Sequence, residues 1–287
     1  MATAPERGTF DVFLDELKSE RQRYGFPTQL HERIRHFGNL TLELLFPHYA
    51  ADVGDVRESD LAVEVEALRD HLCTIVGQAG TSCDAPDSTA QQFIERLPNI
   101  RRALDLDAQA MYDGDPAAIS TDEIILAYPG FHAIACYRIA HELHDLGAEL
   151  AARMVTESAH RRTCIDIPPG AQIGPSFAID HGTGIVVGGT AVIGAHVKLY
   201  QGVTLGALSV DKRMASSKRH PTLDDRVVVY ANATILGGDT VIGAGSVIGG
   251  NVWLPQSVPV NSIVPPTARV DRAKRDAQNE EPLDFNI

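Results

Sequence analysis

Between Ile165 and Gly206 aliphatic residues recur every six positions, at Ile167, Ile173, Ile179 and Ile185. After a slip of two residues the period resumes at Val187, Ile193, Leu199 and Leu205. Neither an α-helix nor an ordinary strand produces such a period. A β-helix does, because each short strand turns a corner and repeats on the next side, so that one aliphatic per side points inward and stacks on its copies. Small or β-branched residues four places further on (Ala171, Thr183, Ala191, Val197 and Val203, with Phe177 as the bulky exception) extend the inward set. Gly174, Gly188 and Gly194 are expected at corners that need permissive backbone angles. A second run keeps the step at Val229 and Ile235 and, one residue out of phase, at Ile242, Ile248 and Leu254. A β-sandwich with glycine-rich turns would instead show alternation with period two. The period does not fix the hand of the winding, and the general rule for crossovers is right-handed.

The rest of the chain reads as a helical half, an excursion and a tail. Up to about residue 112 the segments FDVFLDELKSERQRYG, HERIRHFGNLTLELLF and ESDLAVEVEALRDHLCTIVGQ carry apolar residues at helical spacing. A further helix is expected after Ser88 as N-cap, and Ser120 with Glu123 has the form of a capping box. Pro129–Gly130 breaks the chain before an amphipathic segment, Phe131–Leu146, that mixes Arg138, His141 and His144 among core residues. The expected organisation is a helical domain over 1–162, a β-helix over 163–267 and a flexible tail over 268–287. Between the two solenoid runs lies GALSVDKRMASSKRHPTLDDR, which breaks the period. A loop thrown out of a rigid repeating scaffold is where function is expected.

Charge narrows the partners. The 287 residues carry 25 basic and 38 acidic side chains, a formal net of -13, which argues against a nucleic-acid or anionic-membrane surface. No apolar run has the length of a membrane span, and MATAPERGTFDVF lacks the apolar core of a secretory signal, so a cytoplasmic protein is expected. Cys73, Cys83, Cys136 and Cys164 form no CxxC pair or metal-ligand spacing and read as reduced, structural thiols.

Two residues of the first run have chemistry in reach. Asp166 opens it and His181 follows fifteen positions later. Since a three-sided coil takes about eighteen residues, the two fall almost one coil apart on one edge. A carboxylate beside an imidazole fixes its tautomer and stabilises the imidazolium, which suits proton removal from a hydroxyl or amine. The plain reading is that Asp166 caps the first coil and His181 fills a polar corner; spacing alone leaves both open.

The motifs IDIPPGAQIG, IDHGTGIVVG, YQGVTLGA and KRHP, with DPAAIS and YPGFHA upstream, resemble the serine O-acetyltransferase family of hexapeptide-repeat acyltransferases over about Asp113–Val258. The resemblance implies an α+β chain whose N-terminal α-helical domain is followed by a left-handed parallel β-helix. It implies acetyl transfer from acetyl-CoA to the hydroxyl of L-serine, giving O-acetyl-L-serine for cysteine synthesis. His181 matches the general base and Asp166 the carboxylate that orients it. Asp115 and Asp180 match residues that hold the amino acid, and Arg219 and His220 the pair near its carboxylate. Gly206, Ala207 and Ala231 are the positions implied for coenzyme A. No metal or cofactor is implied, since acetyl-CoA is a co-substrate. The implied partners are neighbouring copies, as a trimer or a dimer of trimers, and O-acetylserine sulfhydrylase, whose active site would take Ile287. The chain departs from the family at Pro168, where His is common, at Gly189, where Glu is common, and in the length of the loop Ser209–Lys218. The rival readings are an acyltransferase with another acceptor or a succinyl donor, and a silent scaffold that binds the sulfhydrylase.

Overall fold

The computed structural model describes residues 9–23, 29–50, 58–79, 85–208 and 217–266. Ile287 and residues 209–216 of the excursion lie outside these.

Seven α-helices come first: α1 (Thr9–Arg23), α2 (Leu30–Leu45), α3 (Glu58–Gln78), α4 (Pro86–Gly114), α5 (Thr121–Ala127), α6 (Pro129–Asp145) and α7 (Glu149–Thr163), with a 3-10 turn at Pro47–Tyr49. Helix α1 buries no residue; the core of the other helices is mostly aliphatic, with Phe37 packed on Phe93 at 5.4 Å between ring centroids and Phe46 meeting Phe131 edge-on at 5.5 Å. Ser88 is not the cap of α4. The helix already starts at Pro86, whose missing N–H costs nothing in the first turn, and the Ser88 hydroxyl instead accepts from Gln92 within the helix. Ser120 does cap α5, accepting from the Glu123 N–H at 3.1 Å, while the Glu123 carboxylate reaches back to the Ile119 N–H. Among the described residues, no helix is long and apolar enough to cross a membrane.

The second half winds into a three-sided prism of parallel strands. One face stacks β1 (Gln172–Ile173), β4 (Val192–Ile193), β7 (Thr222–Leu223) and β10 (Val241–Ile242). The next carries β2 (Ala178–Asp180), β5 (Lys198–Tyr200), β8 (Val228–Val229), β11 (Val247–Ile248) and β13 (Ile263–Val264). The third carries β3 (Val186–Val187), β6 (Thr204–Gly206), β9 (Thr234–Leu236) and β12 (Trp253–Leu254). The inward series is buried as its period requires: Leu199, Leu205, Val229, Ile235, Ile242 and Ile248 are fully enclosed, and so are Ala171, Phe177, Ala191, Val197 and Val203. With roughly 2 kcal/mol for each aliphatic side chain withdrawn from water, the stacked columns drive the winding.

Two expectations of the period fail. Thr183 is exposed, because the corner between β2 and β3 turns through His181, Gly182 and Gly184 at positive φ and carries it outward. Gly174, Gly188 and Gly194 are absent from the positive-φ residues; they are needed for space. A Cβ on Gly174 would sit 2.7 Å from the Gly194 backbone one coil on, and a Cβ on Gly188 only 1.9 Å from the His220 ring.

The first coil has no preceding coil to satisfy its backbone, and the helices do so. Tyr137 donates to the Ala171 carbonyl, Arg138 to those of Ile173 and Gly174, and His141 Nδ1 lies 2.7 Å from that of Pro169. Asp107, fully enclosed on α4, accepts the Phe177 N–H at 2.8 Å and pairs with Arg138 at 3.0 and 3.1 Å. Helix α6 therefore serves as the terminal cap that a repeat structure requires. Arg138 was legible only as one polar residue among core positions, because the sequence does not show which carbonyls the solenoid leaves unpaired.

Candidate active site

His181 sits at the edge where the β2 face turns into the β3 face. The corner is a tight turn in which the Gly182 N–H donates to the Asp180 carbonyl at 2.7 Å. His181 at its centre has φ 57, in the left-handed region, and Gly182 and Gly184 follow at φ 85 and 80. Holding a non-glycine residue there costs free energy and is tolerated where the surroundings over-determine it. The result is an imidazole thrust outward, its side chain 75 % exposed, with Nε2 3.6 Å from Asp180 Oδ1.

Asp180 is the junction of the edge. Its Oδ2 accepts from Lys198 Nζ at 2.7 Å. The same ammonium donates to the Gly114 carbonyl at the end of α4 (2.7 Å) and lies 4.4 Å above the Tyr200 ring. Burial works against the Lys198 charge, but the bonds to Asp180 and Tyr200 lift its pKa above the ordinary lysine value. Across a narrow crevice lined by Met111, Tyr128 and Ile179 stands Asp115. It accepts from the Ala117 N–H at 2.8 Å and the Tyr128 hydroxyl at 2.7 Å. These two bonds hold its carboxyl below the usual range, and donating to Asp115 pushes the Tyr128 phenol up to about 12. Asp115, Asp180 and His181 are thus brought to one edge, joined by Lys198 and Tyr128, which sequence reasoning missed. Lys198 alternates with inward Val197 and Leu199, and an outward lysine on a strand carries no mark that separates a strut from a solvated side chain.

Asp166 forms an isolated bridge with Val186 at the start of the solenoid. No hydrogen bond or ion pair joins it to His181. Its carboxylate lies instead with Glu157 and His160 of α7, the ligand atoms of the three within 4.8 Å of one another. This half-buried trio is the one group among the described residues with the proximity of metal ligands.

Arg219 and His220 occupy a different edge, where the β6 face turns into the β7 face. Thr190, one coil earlier, organises them. Its hydroxyl accepts from the Arg219 N–H at 3.0 Å and the His220 N–H at 3.2 Å and lies 2.8 Å from His220 Nδ1. The Thr190 N–H also donates to Nδ1. Nδ1 is therefore an acceptor, and neutral His220 carries its proton on Nε2. Burial, then Arg219 and Lys218, pull the His220 pKa below the ordinary histidine value, which favours that neutral form. Thr190 follows the Gly189 departure, and that corner was the one signal that could have pointed to it. Gly206 and Ala207 lie on this same edge. Ala231 lies on the His181 edge, beside a cleft of about 430 Å³ walled by Tyr230, Gly249, Gly250, Pro265 and Pro266. Tyr200 and Tyr230 stack between them with centroids 4.8 Å apart.

A helix-capped prism of hexapeptide coils that presents an imidazole and carboxylates along its edges defines a hexapeptide-repeat acyltransferase. Residues 49–136 match the family described as serine acetyltransferase, N-terminal. A plasmid serine acetyltransferase of Synechococcus elongatus is 46% identical over 242 residues, covering 80% of this chain and 75% of its own. The serine acetyltransferase of Helicobacter pylori is 50% identical over 123 residues, 43% of this chain and 70% of its own. Among solved structures, Entamoeba histolytica serine acetyltransferase 1 in complex with L-cysteine superposes with TM-score 0.71 at 38% identity, over 80% of this chain and 85% of that one. Neisseria gonorrhoeae serine acetyltransferase in complex with serine gives 0.56 at 26%, over 79% and 93%. The chain belongs to the serine acetyltransferase family: it is an acetyl-CoA-dependent acyltransferase acting on serine, and its prism is the left-handed parallel β-helix of these structures.

Proposed function

We propose that His181 is the general base of this serine acetyltransferase. The observation that carries the assignment is its setting: an outward imidazole on a left-handed corner, with Asp180 at 3.6 Å. His181 takes the proton from the serine hydroxyl as that oxygen attacks the thioester carbonyl. The tetrahedral intermediate collapses with loss of the CoA thiolate, which recovers the proton from the imidazolium. Asp166 orients His181 in the reacting complex, a step that needs its carboxylate to leave the Glu157–His160 side. Asp115 and Asp180 receive the substrate ammonium, and Arg219 and His220 its carboxylate, since a zwitterion needs both signs to fix its orientation.

The two sets of binding residues lie on different edges of one prism. We therefore assign each complete site to the groove between two copies in a trimer, the His181 edge of one facing the His220 edge of the next. Coenzyme A lies along that groove past Gly206, Ala207 and Ala231, with no further cofactor. L-cysteine, bound by the Entamoeba relative, competes at the serine position. The tail docks through Ile287 on O-acetylserine sulfhydrylase, which deletion of Ile287 tests by loss of binding. His181→Ala is expected to lower kcat by about 10²- to 10⁴-fold, with the Tm unchanged. Turnover at the wild-type rate would remove His181 from the mechanism.

A further inference from the structure

The helical domain carries a cavity of about 910 Å³, open to solvent, between α2, α3, α6 and α7. Its wall carries four arginines and four histidines against two glutamates, in a chain whose net charge is -13. Both glutamates are already engaged, Glu32 by Arg35 and Glu157 by Arg153. That leaves Arg33 of α2 and Arg161 and Arg162 of α7 with no carboxylate partner among the described residues. Arg33 Nε is enclosed and has no hydrogen-bond acceptor, which is costly for a charged group. The end of a helix attracts cations through its dipole, and this accounts for Arg161 and Arg162. It does not account for Arg33, which lines the same space from another helix. The remaining wall mixes apolar Ile34, Met154 and Val155 with polar Asn39, Ser158 and His132, and the His71 Nε2 lies 2.9 Å from the Arg33 carbonyl.

We propose that this cavity is a binding site for a small multivalent oxyanion of the phosphate or sulfate type, held by Arg33, Arg161 and Arg162. Guanidinium forks match the oxygens of such an anion, and an anion there would supply the acceptor that Arg33 Nε lacks. The cavity shares no residue with the His181 or His220 edge; its link to them is Glu157, which neighbours Asp166.

The test uses the full-length protein with inorganic phosphate, and with inorganic sulfate in a parallel arm, followed by calorimetry and thermal shift against sodium chloride at equal ionic strength. Saturable binding of one anion per chain is expected. Arg33→Gln and Arg162→Gln should each weaken it about tenfold or more, as loss of a charge-assisted bond implies. Preference for one anion identifies which of the two the site takes. Arg161→Gln, at an exposed position, is a third variant that leaves the core untouched should the others fold poorly. A shift no larger than that of chloride, or one retained in all three variants, would overturn the proposal.

Discussion

Lys198 is a single residue with two obligations. It neutralises Asp180 and ties the end of α4 to the solenoid through the Gly114 carbonyl. A substrate ammonium directed to Asp180 meets a carboxylate that Lys198 already orients, with Oδ1 left towards His181. Lys198→Met removes that strut and frees Asp180 to turn. The expected result is a KM for serine raised about tenfold, the size of part of a charge-assisted hydrogen bond, with the KM for acetyl-CoA unchanged. Steady-state kinetics decides it. A lowered KM would mean that Lys198 competes with the substrate for Asp180. The residues at this edge were unevenly legible. Asp115, Asp180 and His181 stand in motifs, whereas Lys198 and Tyr128 act only through neighbours distant in sequence. The role of Gly188 was misread for a related reason: its Cα faces His220 across the excursion, and no local pattern shows a contact made over that distance.

Among the elements, α4 and α6 matter most, because they close the open end of the solenoid. The hexapeptide period made the prism legible and even its inward columns, since burial alone generates that pattern. It could not reveal the cap, because a cap serves the one coil that lacks a predecessor and so has no repeat. The enclosed Asp107–Arg138 pair is the centre of that cap. Arg138→Met leaves the Asp107 carboxylate buried without its cation and strips donors from Ile173 and Gly174. Chemical denaturation should show a loss of about 3–5 kcal/mol, whereas Asp107→Asn with Arg138→Met together should lose less than the sum. Equality with the sum would show that the two side chains act independently. The helices also hold a pH dependence. Burial, with the charge of Arg162 added, lowers the His132 pKa from 6.5 to about 4. The unfolded chain therefore binds a proton near 6.5 that the folded chain refuses until about 4. Stability is complete above 6.5 and falls as pH drops through that window, by about 3 kcal/mol once it has been crossed. His132→Gln should flatten this part of the stability–pH profile, measured in chloride without phosphate or sulfate.

At the scale of the whole molecule, the His181 and His220 edges are ones that a single prism cannot fold together. His181 lies between β2 and β3, His220 between β6 and β7, and the β3–β6 face separates them. In the proposed trimer, closed threefold packing sets the His181 edge of one copy against the His220 edge of the next at every junction, so that a site would take its base from one copy and its carboxylate pocket from the next. This arrangement makes complementation a direct test. His181→Ala and His220→Ala are each expected to be nearly inactive as pure proteins. In a one-to-one mixture, refolded together so that copies assort at random, a junction works when its His181 edge comes from the His220→Ala chain and its His220 edge from the other. Random assortment in a closed ring makes this true of about a quarter of the junctions, and the mixture should recover about that share of wild-type activity. The yardstick is wild-type protein taken through the same refolding. Recovery distinguishes a shared groove from a site contained in one chain, because a self-contained site leaves every copy in the mixture as defective as it was alone. If the mixture stays silent while co-purification of differently tagged copies shows mixed trimers, the two edges belong to separate sites and the assignment of Arg219 and His220 to the serine carboxylate falls with the shared groove.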